Sequence, residues 1–272
     1  MLSSIVVHAL KGARGIAHAT AMVTPIGLAF DRRWMLVDDA GDFVSQRIAP
    51  SLRHIEAHGD ARGLHLVWRG TQSTVSPSHI HVPLPSSTDD VVEVTVWDDR
   101  VRASSCGHDA RLWLDAHLGH PYDLVALASD RARPMRTSRV RPGAHVSFAD
   151  GYPFLIANEA SLRDLESRAG LPFAMERFRP NLVVDGLEAW EEDEIAVLRI
   201  GEVTFDLVKP CVRCEVTTLD PDGGPAGKEP LATLATFRRD PEGGVTFGVN
   251  AVARGEGRVH VGDQVEVLER RA

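Results

Sequence analysis

Short apolar segments, rich in β-branched and aromatic residues and bounded by Gly, Pro, Asp or Ser, recur along this chain and constrain its fold more than any other feature. The first half contains RRWMLVDD, LHLVWRG and VVEVTVW, and the second half continues with AVLRIGEVTFDLVKP and GVTFGVNAVA. Such segments are typical of β-strands. Apolar residues at helical spacing occur in only a few places, GHDARLWLDAHLG, NEASLRDLESRAG and EPLATLATFRR. We therefore predict a mostly β (α+β) chain with a few short helices, arranged as two β-barrel-like units.

The stretch SDRARPMRTSRVRPGAHVS separates two strand-rich halves. It is rich in Arg, Pro and Ser and shows no apolar periodicity, which is typical of a connecting segment. We place a domain boundary near residue 130, which gives an N-terminal unit of residues 1–130 and a C-terminal unit of residues 131–272. A chain of 272 residues fits this division, because domains commonly contain roughly 100–200 residues.

Charge and cysteine content exclude several classes of protein. The net charge is −8 and the 30 basic residues are scattered, so we expect no nucleic-acid partner. No apolar run approaches the roughly 18–20 residues that span a bilayer. No basic segment precedes the first apolar stretch as it would in a signal peptide, so we expect no membrane association. Three cysteines do not make a disulfide framework. We therefore expect a cytoplasmic protein with free thiols.

Two of the three cysteines, Cys211 and Cys214, enclose Val212 and Arg213 in the motif KPCVRC. Four interpretations of the motif are open. A structural zinc site needs four ligands, and this chain has no second cysteine pair. A redox pair of the thioredoxin type expects a strand-to-helix context, whereas this motif follows a β-rich run. The remaining interpretations are a pair of buried structural thiols and a single thiolate ligand for a soft metal, with Lys209 and Arg213 as nearby cations.

Several blocks of sequence, in the same order, resemble the MOSC domain family. KPCVRCEVTTLDPDGG, KEPLATLATFRR and the terminal GDQVEVLE resemble the MOSC domain itself, and YPFLIANEASLRDLESR and ERFRPNLVVDG are similar to the stretches that precede its cysteine. LKGARGIAHATAMVTPIGLAFDRRWMLVDDAGDFVSQR is similar to the N-terminal β-barrel domain that accompanies MOSC in the amidoxime-reducing branch. The resemblance covers nearly the whole chain. It implies an N-terminal MOSC-associated β-barrel domain followed by a MOSC β-barrel.

The resemblance also implies a site for a molybdenum cofactor, Mo-molybdopterin, to which both halves contribute. The second cysteine of the pair binds the metal in this family, which makes Cys214 the expected metal ligand and catalytic residue. The family's cofactor-binding positions correspond here to Lys11, Gly12, Arg32, Asp150, Gly151, Tyr152, Arg179, Asn181, Val212 and Arg213. The family often has Lys-Ser where this chain has Lys11-Gly12, so only backbone can replace a hydroxyl contact to the cofactor.

For function, the resemblance implies a molybdenum-dependent oxidoreductase that reduces N-hydroxylated compounds such as amidoximes, hydroxylamines and N-hydroxylated bases. We expect neither the appended iron–sulfur domain nor the membrane anchor that some relatives carry. Electrons are therefore expected from a separate ferredoxin, flavodoxin or haem protein. The alternative is a carrier of molybdenum cofactor or sulfur that uses the same cysteine. A third class, a metal-free β-barrel interaction module, predicts no molybdenum in the purified protein.

Overall fold

A computed structural model describes residues 1–70, 77–85, 90–128, 131–135, 137, 140, 143–223 and 227–271. The prediction of a mostly β (α+β) chain is confirmed, because the described residues form twenty strands and only three α-helices. The predicted boundary near residue 130 lies outside them. The helices are α1 (His108–Leu118), α2 (Glu159–Ala169) and α3 (Leu231–Leu234). Short 3-10 turns lie at Pro50–His54, Met175–Phe178, Glu191–Asp193 and Glu215–Thr218.

The largest sheet has eight strands and draws on both halves of the chain. Numbered in chain order and given from edge to edge, they are β2 (Ile16–His18), β1 (Leu2–Val7), β15 (Leu182–Val184), β14 (Phe154–Asn158), β18 (Val245–Ala253), β17 (Val203–Arg213), β16 (Ile195–Ile200) and β20 (Val265–Arg270). The strands β14 and β15 run parallel, and the other neighbours are antiparallel. The first strand of the chain is therefore an interior strand of a sheet built mainly from the second half.

Four smaller sheets complete the β structure of the described ranges. They are β5 (Trp34–Val37), β11 (Asp123–Ala126), β10 (Asp99–Ser105) and β9 (Val91–Val96); β6 (Ile55–Asp60), β7 (Gly63–Trp68) and β8 (His79–Pro83); β19 (Gly257–His260), β3 (Thr20–Thr24) and β4 (Gly27–Leu28); and β12 (Arg133–Pro134) with β13 (His145–Val146). The pairing of β3 with β19 is antiparallel. It is a second place at which early and late segments of the chain share a sheet.

The long strand β17 delivers the cysteine motif to the surface where the two halves meet. It forms a hairpin with β16, and Gly201 in the turn has a φ of 55°, a left-handed conformation that glycine adopts without steric cost. The register between β17 and β18 shifts twice, between Leu207 and Lys209 and between Pro210 and Val212. Such bulges bend a strand and re-aim its side chains. They lie directly before and within the CVRC segment.

Helix α2 packs beside the segment that precedes β15. Asn158 caps the helix, because its side chain accepts a hydrogen bond from Ala160 N, and Gly170 ends it in the left-handed conformation. Leu162 and Leu165 of α2 belong to one apolar cluster with Phe178 and Phe247. The helix thereby supports the 3-10 turn from which the next part of the site projects.

The largest mixed core joins the two halves. Leu2, Ile5, Val23 and Leu28 pack in one apolar cluster with residues of the second half such as Phe205. Burial of an aliphatic or aromatic side chain contributes roughly 1.5–3 kcal/mol, so the early strands stabilise the later ones directly. Among the described residues, no helix combines the length and the apolar character needed to cross a membrane.

Candidate functional site

A cavity of about 370 Å³ opens where loops of the N-terminal part meet the end of β17. All predicted site residues line it, namely Lys11, Gly12, Arg32, Asp150, Gly151, Tyr152, Arg179, Asn181, Val212, Arg213 and Cys214. They come from five separate segments of the sequence. Their convergence on one cavity is therefore a property of the fold.

Each segment reaches the cavity at or near the end of a strand or turn. Lys11 lies shortly after β1, and its backbone N–H donates to Trp34 O at 2.8 Å. Residues 150–152 lie just before β14, residues 179–181 connect a 3-10 turn to β15, and residues 212–214 lie at the end of β17 and directly after it. Side chains at such ends are free to converge because a rigid sheet holds the segments that carry them.

Two arginines of the cavity wall have left-handed backbone conformations, with φ of 49° at Arg32 and 54° at Arg179. This region costs a non-glycine residue roughly 1–2 kcal/mol, so surrounding contacts must hold it. Arg32 N–H donates to His8 O at 2.8 Å, and Arg179 N–H donates to Glu176 O at 3.1 Å. Strained residues of this kind cluster at binding and catalytic sites.

The charges of these arginines interact. The Arg32 guanidinium donates to the carboxylate of Asp31, to Asn181 Oδ1 at 3.3 Å and to Arg179 O at 3.4 Å. Burial, followed by the charge of Arg32, lowers the pKa of Arg179 to about 9, while Asp31 and Asp150 act in the opposite direction. Arg179 therefore remains charged at neutral pH. Like charges held so close favour an anion as their ligand.

A third cation, Lys11, pairs with Asp150. Lys11 Nζ donates to Phe148 O at 2.8 Å and to Asp150 Oδ1 at 2.5 Å. Burial lowers the pKa of Lys11, and the charge of Asp150 raises it partly back. Enclosure by the cavity raises the pKa of Asp150, but the charge and hydrogen bond of Lys11, together with a hydrogen bond from Trp97 Nε1, outweigh this and hold that pKa well below its usual range. Asp150 is therefore ionised at neutral pH.

The two cysteines of the CVRC motif have different surroundings. Arg213 Nη1 donates to Cys211 Sγ at 3.0 Å, and Arg213 Nη2 donates to Phe178 O at 2.8 Å. Residues two apart on a strand share a face, which brings Arg213 to Cys211 and not to the adjacent Cys214. Cys214 is exposed, and its thiol has no hydrogen bond from the described part of the protein. It is the thiol that is open to a ligand in the cavity.

The geometry separates the interpretations of the cysteine motif. Within the described ranges, no group of three or more His, Cys, Asp or Glu side chains is arranged to hold a metal ion. The exposure of Cys214 disfavours a purely buried structural role for that thiol. A metal bound by Cys214 would take its remaining ligands from a cofactor in the cavity.

Asn181 lies buried behind Arg32 in the cavity wall. It is 1% exposed, and its side-chain oxygen accepts hydrogen bonds from Leu155 N at 3.2 Å and from Arg32 Nη1. Its side-chain nitrogen donates to Val6 O at 3.4 Å. Most of the hydrogen-bonding capacity of Asn181 is thus used by the protein. The structure places it as the residue that orients Arg32.

Several residues of the cavity wall were not predicted from the sequence, namely Phe43, Ser45, Gln46, Arg47, Trp97, Ala149, Phe154, Leu155, Arg177, Phe178, Val216 and Asn250. Gln46 Nε2 donates to Gly12 O at 2.6 Å, and the Arg47 guanidinium lies 5.0 Å from the ring centroid of Trp97. Gln46 and Arg47 belong to the block DAGDFVSQR that carries the family resemblance, so a signal for them was present. Trp97 gave none, because it reaches the cavity through a turn in which its φ is 57°.

The fold and the cavity together define a mostly β protein with a cation-rich pocket beside an open cysteine thiol. The family model of the MOSC N-terminal beta barrel domain matches residues 1–121, and that of the MOSC domain matches residues 143–266. The chain belongs to the MOSC family and carries this N-terminal domain. The membership predicted from the sequence is confirmed.

Curated relatives extend over nearly all of the chain. It is 33% identical to mitochondrial amidoxime-reducing component 1 of Homo sapiens, over 96% of this chain and 81% of that protein. It is 32% identical to mitochondrial amidoxime-reducing component 1 of Danio rerio, over 97% of this chain and 84% of that protein. It is also 31% identical to molybdenum cofactor sulfurase of Oryza sativa subsp. japonica, over 91% of this chain and 32% of that protein.

Proposed function

We propose that this protein is a molybdenum cofactor-dependent reductase of N-hydroxylated compounds such as amidoximes, hydroxylamines and N-hydroxylated bases. The observation that carries the proposal is the convergence of all eleven predicted site residues on one cavity. The names of the relatives support the same class of reaction, because two of those cited are amidoxime-reducing components. Electrons would come from a separate ferredoxin, flavodoxin or haem protein.

The cavity fits a phosphorylated pterin cofactor with a thiolate-bound metal. Its wall carries four cationic side chains, Lys11, Arg32, Arg179 and Arg213. The negative charge of Asp150 is already paired with Lys11. Arg213 Nε is buried without a hydrogen-bond partner in the described part of the chain, as expected of a donor whose ligand is a cofactor. Arginine donors suit phosphate, and an open thiol suits a soft metal.

The residues have separate tasks in this proposal. Cys214 would hold the molybdenum, and the arginines would hold the phosphate and pterin. The bound cofactor would supply the two-electron chemistry. An N–OH group takes up two electrons and two protons, becomes an N–H group and releases water. Asp150 is ionised at neutral pH, so it orients Lys11 and does not donate a proton. Arg47 and Trp97, whose guanidinium and ring lie against each other, also line the cavity.

Serine substitutions of the three cysteines test the proposal. We expect Cys214→Ser to abolish the reduction of benzamidoxime by a chemical reductant, because the metal loses its protein ligand. Cys211→Ser should be milder, because Arg213 keeps its hydrogen bond to Phe178 O. Cys106→Ser, outside the cavity, is the control. Activity is measured together with molybdenum content and pterin fluorescence, and equal losses in Cys211→Ser and Cys214→Ser, with no molybdenum in the wild type, would refute the assignment.

A carrier of molybdenum cofactor or of sulfur is the second candidate function. The similarity to a molybdenum cofactor sulfurase supports it, and so does the exposure of Cys214. Molybdenum that is retained without any turnover of benzamidoxime or of a hydroxylaminopurine would favour the carrier. Turnover with chemical reductant would favour the reductase.

A further inference from the structure

The outer face of the three-stranded sheet of β6, β7 and β8 carries a row of histidines. His58, His65 and His81 lie opposite one another on the three strands, and His18 of β2 stacks on His58 with ring centroids 5.7 Å apart. The other face of this sheet packs into an apolar cluster, for example through Leu64. The four histidines do not line the cofactor cavity, so the row is a separate feature of the surface.

The pairing of β7 with β8 brings two of these side chains especially close. In an antiparallel pair, hydrogen-bonded and non-hydrogen-bonded residue pairs alternate. Trp68 N donates to Ser78 O at 2.8 Å, and three pairs further along the ladder His65 faces His81 in a non-hydrogen-bonded pair. The Cα atoms of such a pair are about 1 Å closer than those of a hydrogen-bonded pair. The ring centroids of His65 and His81 are accordingly 4.4 Å apart, against 6.2 Å for His58 and His65.

The short separation of these two rings is the one that a shared metal ion requires. With metal–nitrogen bonds of about 2.0–2.1 Å and a ring centre about 1.1 Å behind the nitrogen, two imidazoles bound at roughly 90–110° have centroids roughly 4.5–5.2 Å apart. The 4.4 Å between His65 and His81 is close to this range, whereas the other two separations in the row exceed it. Because the ring torsion of histidine is soft, a small rotation aims a nitrogen of each ring at one ion.

The nitrogens of both rings are open to a ligand. His81 is exposed and the His65 side chain is 36% exposed. In the described part of the protein, their polar contact is limited to Asp60 Oδ2, which lies 3.5 Å from His65 Nε2. That oxygen already pairs with Arg62 at 3.1 Å, so we count two protein ligands and not three. This agrees with the finding that no group of three metal-binding side chains occurs within the described ranges.

We propose that His65 and His81 together bind one divalent transition-metal ion of the zinc type, which links β7 to β8 on the outer face of the sheet. Neutral imidazole is the commonest metal ligand in proteins. It suits Zn²⁺, Cu²⁺ and Ni²⁺, whereas Mg²⁺ and Ca²⁺ prefer oxygen ligands. Water completes the coordination of the ion. The site lies outside the cofactor cavity, and the proposal does not depend on the function proposed above.

Calorimetric titration of Zn²⁺ into the full chain tests the proposal. The protein carries no polyhistidine tag, and Cys211 and Cys214 are replaced by serine so that their thiols do not compete for the ion. We expect this parent protein to bind one Zn²⁺ per chain and to give no binding signal with Mg²⁺ under the same conditions. Absence of Zn²⁺ binding, or equally strong binding of Mg²⁺, would overturn the proposal.

Substitutions within the row locate the ion. His65→Asn and His81→Asn should each weaken Zn²⁺ binding at least about tenfold, because even the loss of an outer-shell contact to a metal ligand commonly has that effect. His58→Asn is the matched control, since it lies in the same row but 6.2 Å from His65, and it should bind as the parent does. Undiminished binding in His81→Asn, or equal weakening in His58→Asn, would overturn the assignment to this pair.

Urea unfolding provides a measurement that does not depend on heats of binding. An ion held between two strands binds the folded sheet in preference to the unfolded chain. We therefore expect Zn²⁺ to raise the urea midpoint of the parent and to leave that of His81→Asn unchanged. An equal rise in both proteins would place the stabilising ion elsewhere and count against the proposal.

Discussion

Arg32 and Arg179 constrain each other. Both have left-handed φ values, and the Arg32 guanidinium donates to the backbone carbonyl of Arg179 at 3.4 Å. The backbone of one arginine is thus held by the side chain of the other, while Asn181 holds that side chain from below. Charges fixed in this way need no reorganisation when an anion arrives. A substitution of Arg32 therefore also releases the backbone that carries the charge of Arg179.

Acid should destabilise this protein through His8. Its pKa is lowered well below 6.5 by burial and then by Arg179 and Arg32, whereas the unfolded chain takes up this proton near the ordinary pKa of about 6.5. The unfolded state therefore binds more protons as pH falls below 6.5. The contribution of neutral His8 to the free energy of unfolding is fully present above pH 6.5. Below that pH the free energy of unfolding declines by up to about 1.4 kcal/mol per pH unit.

Urea unfolding of wild type and His8→Gln at pH 7.5 and pH 5.5 measures this effect. We expect the free energy of unfolding to fall less between the two pH values in His8→Gln, because glutamine does not titrate. His145→Asn, at an exposed position of β13, should retain the wild-type dependence. A His8→Gln protein with the same pH dependence as the wild type would contradict the expectation.

At the level of residues, the sequence predicted which side chains line the cavity but not the contacts they make. The resemblance identified Lys11 and Arg179 through short motifs, and both line the cavity. It could not show that Arg213 bonds Cys211, because that contact depends on the strand geometry at the end of β17.

Among the elements, the sheet of β6, β7 and β8 depends on one glycine. Gly63 begins β7 with a φ of 151°, and a Cβ there would lie 2.1 Å from Val82 O in β8. We expect Gly63→Ala to lower the free energy of unfolding by about 2–3 kcal/mol, because the backbone of two strands must move apart. Urea unfolding measures it. Gly255→Ala is the control, because no atom lies within 4 Å of the added Cβ. Equal urea midpoints for the two variants would show that the sheet accommodates a Cβ at Gly63 without loss of stability.

The local spacing of apolar residues predicted where helices occur better than it predicted where they begin and end. The helices α1 and α2 form where apolar residues recur at helical spacing. EPLATLATFRR also predicts a helix, but α3 ends after four residues. Tertiary contacts explain the early end, because Phe237 packs edge-on against Trp190 and Arg238 pairs with Asp193. Such long-range contacts override local preference and cannot be read from a short window.

For the whole molecule, the sharing of sheets between the two halves predicts that the second half does not fold alone. A fragment of residues 131–272 lacks β1, which pairs with β15, and β3, which pairs with β19. It also loses Leu2 and Ile5 from the mixed core. We expect the fragment to show no cooperative unfolding by circular dichroism. Co-expression with residues 1–130 should restore it, and a cooperatively folded lone fragment would show that β1 is dispensable.

The division near residue 130 was predicted from composition. The pairing of strands from the two halves in the same sheets was not predicted. Alternating apolar residues mark β1 as a strand but do not name its partner. Leu2 pairs with Val184, far along the chain. Local periodicity contains no information about pairing over such a distance. The architecture of the site, which lies between the halves, was therefore predictable only through the family.

The interior position of β1 has a consequence for the order of events during synthesis. The ribosome makes β1 before its neighbour β15, which ends at Val184, and the long pair of β17 and β18 is complete only at Ala253. Lys11 must wait for Arg179 and Cys214 before the cavity has a wall. A nascent chain therefore offers no finished pocket. We therefore expect any cofactor to be loaded only after β17 and β18 have been synthesised, and we expect the unpaired β1 to be prone to aggregation until then.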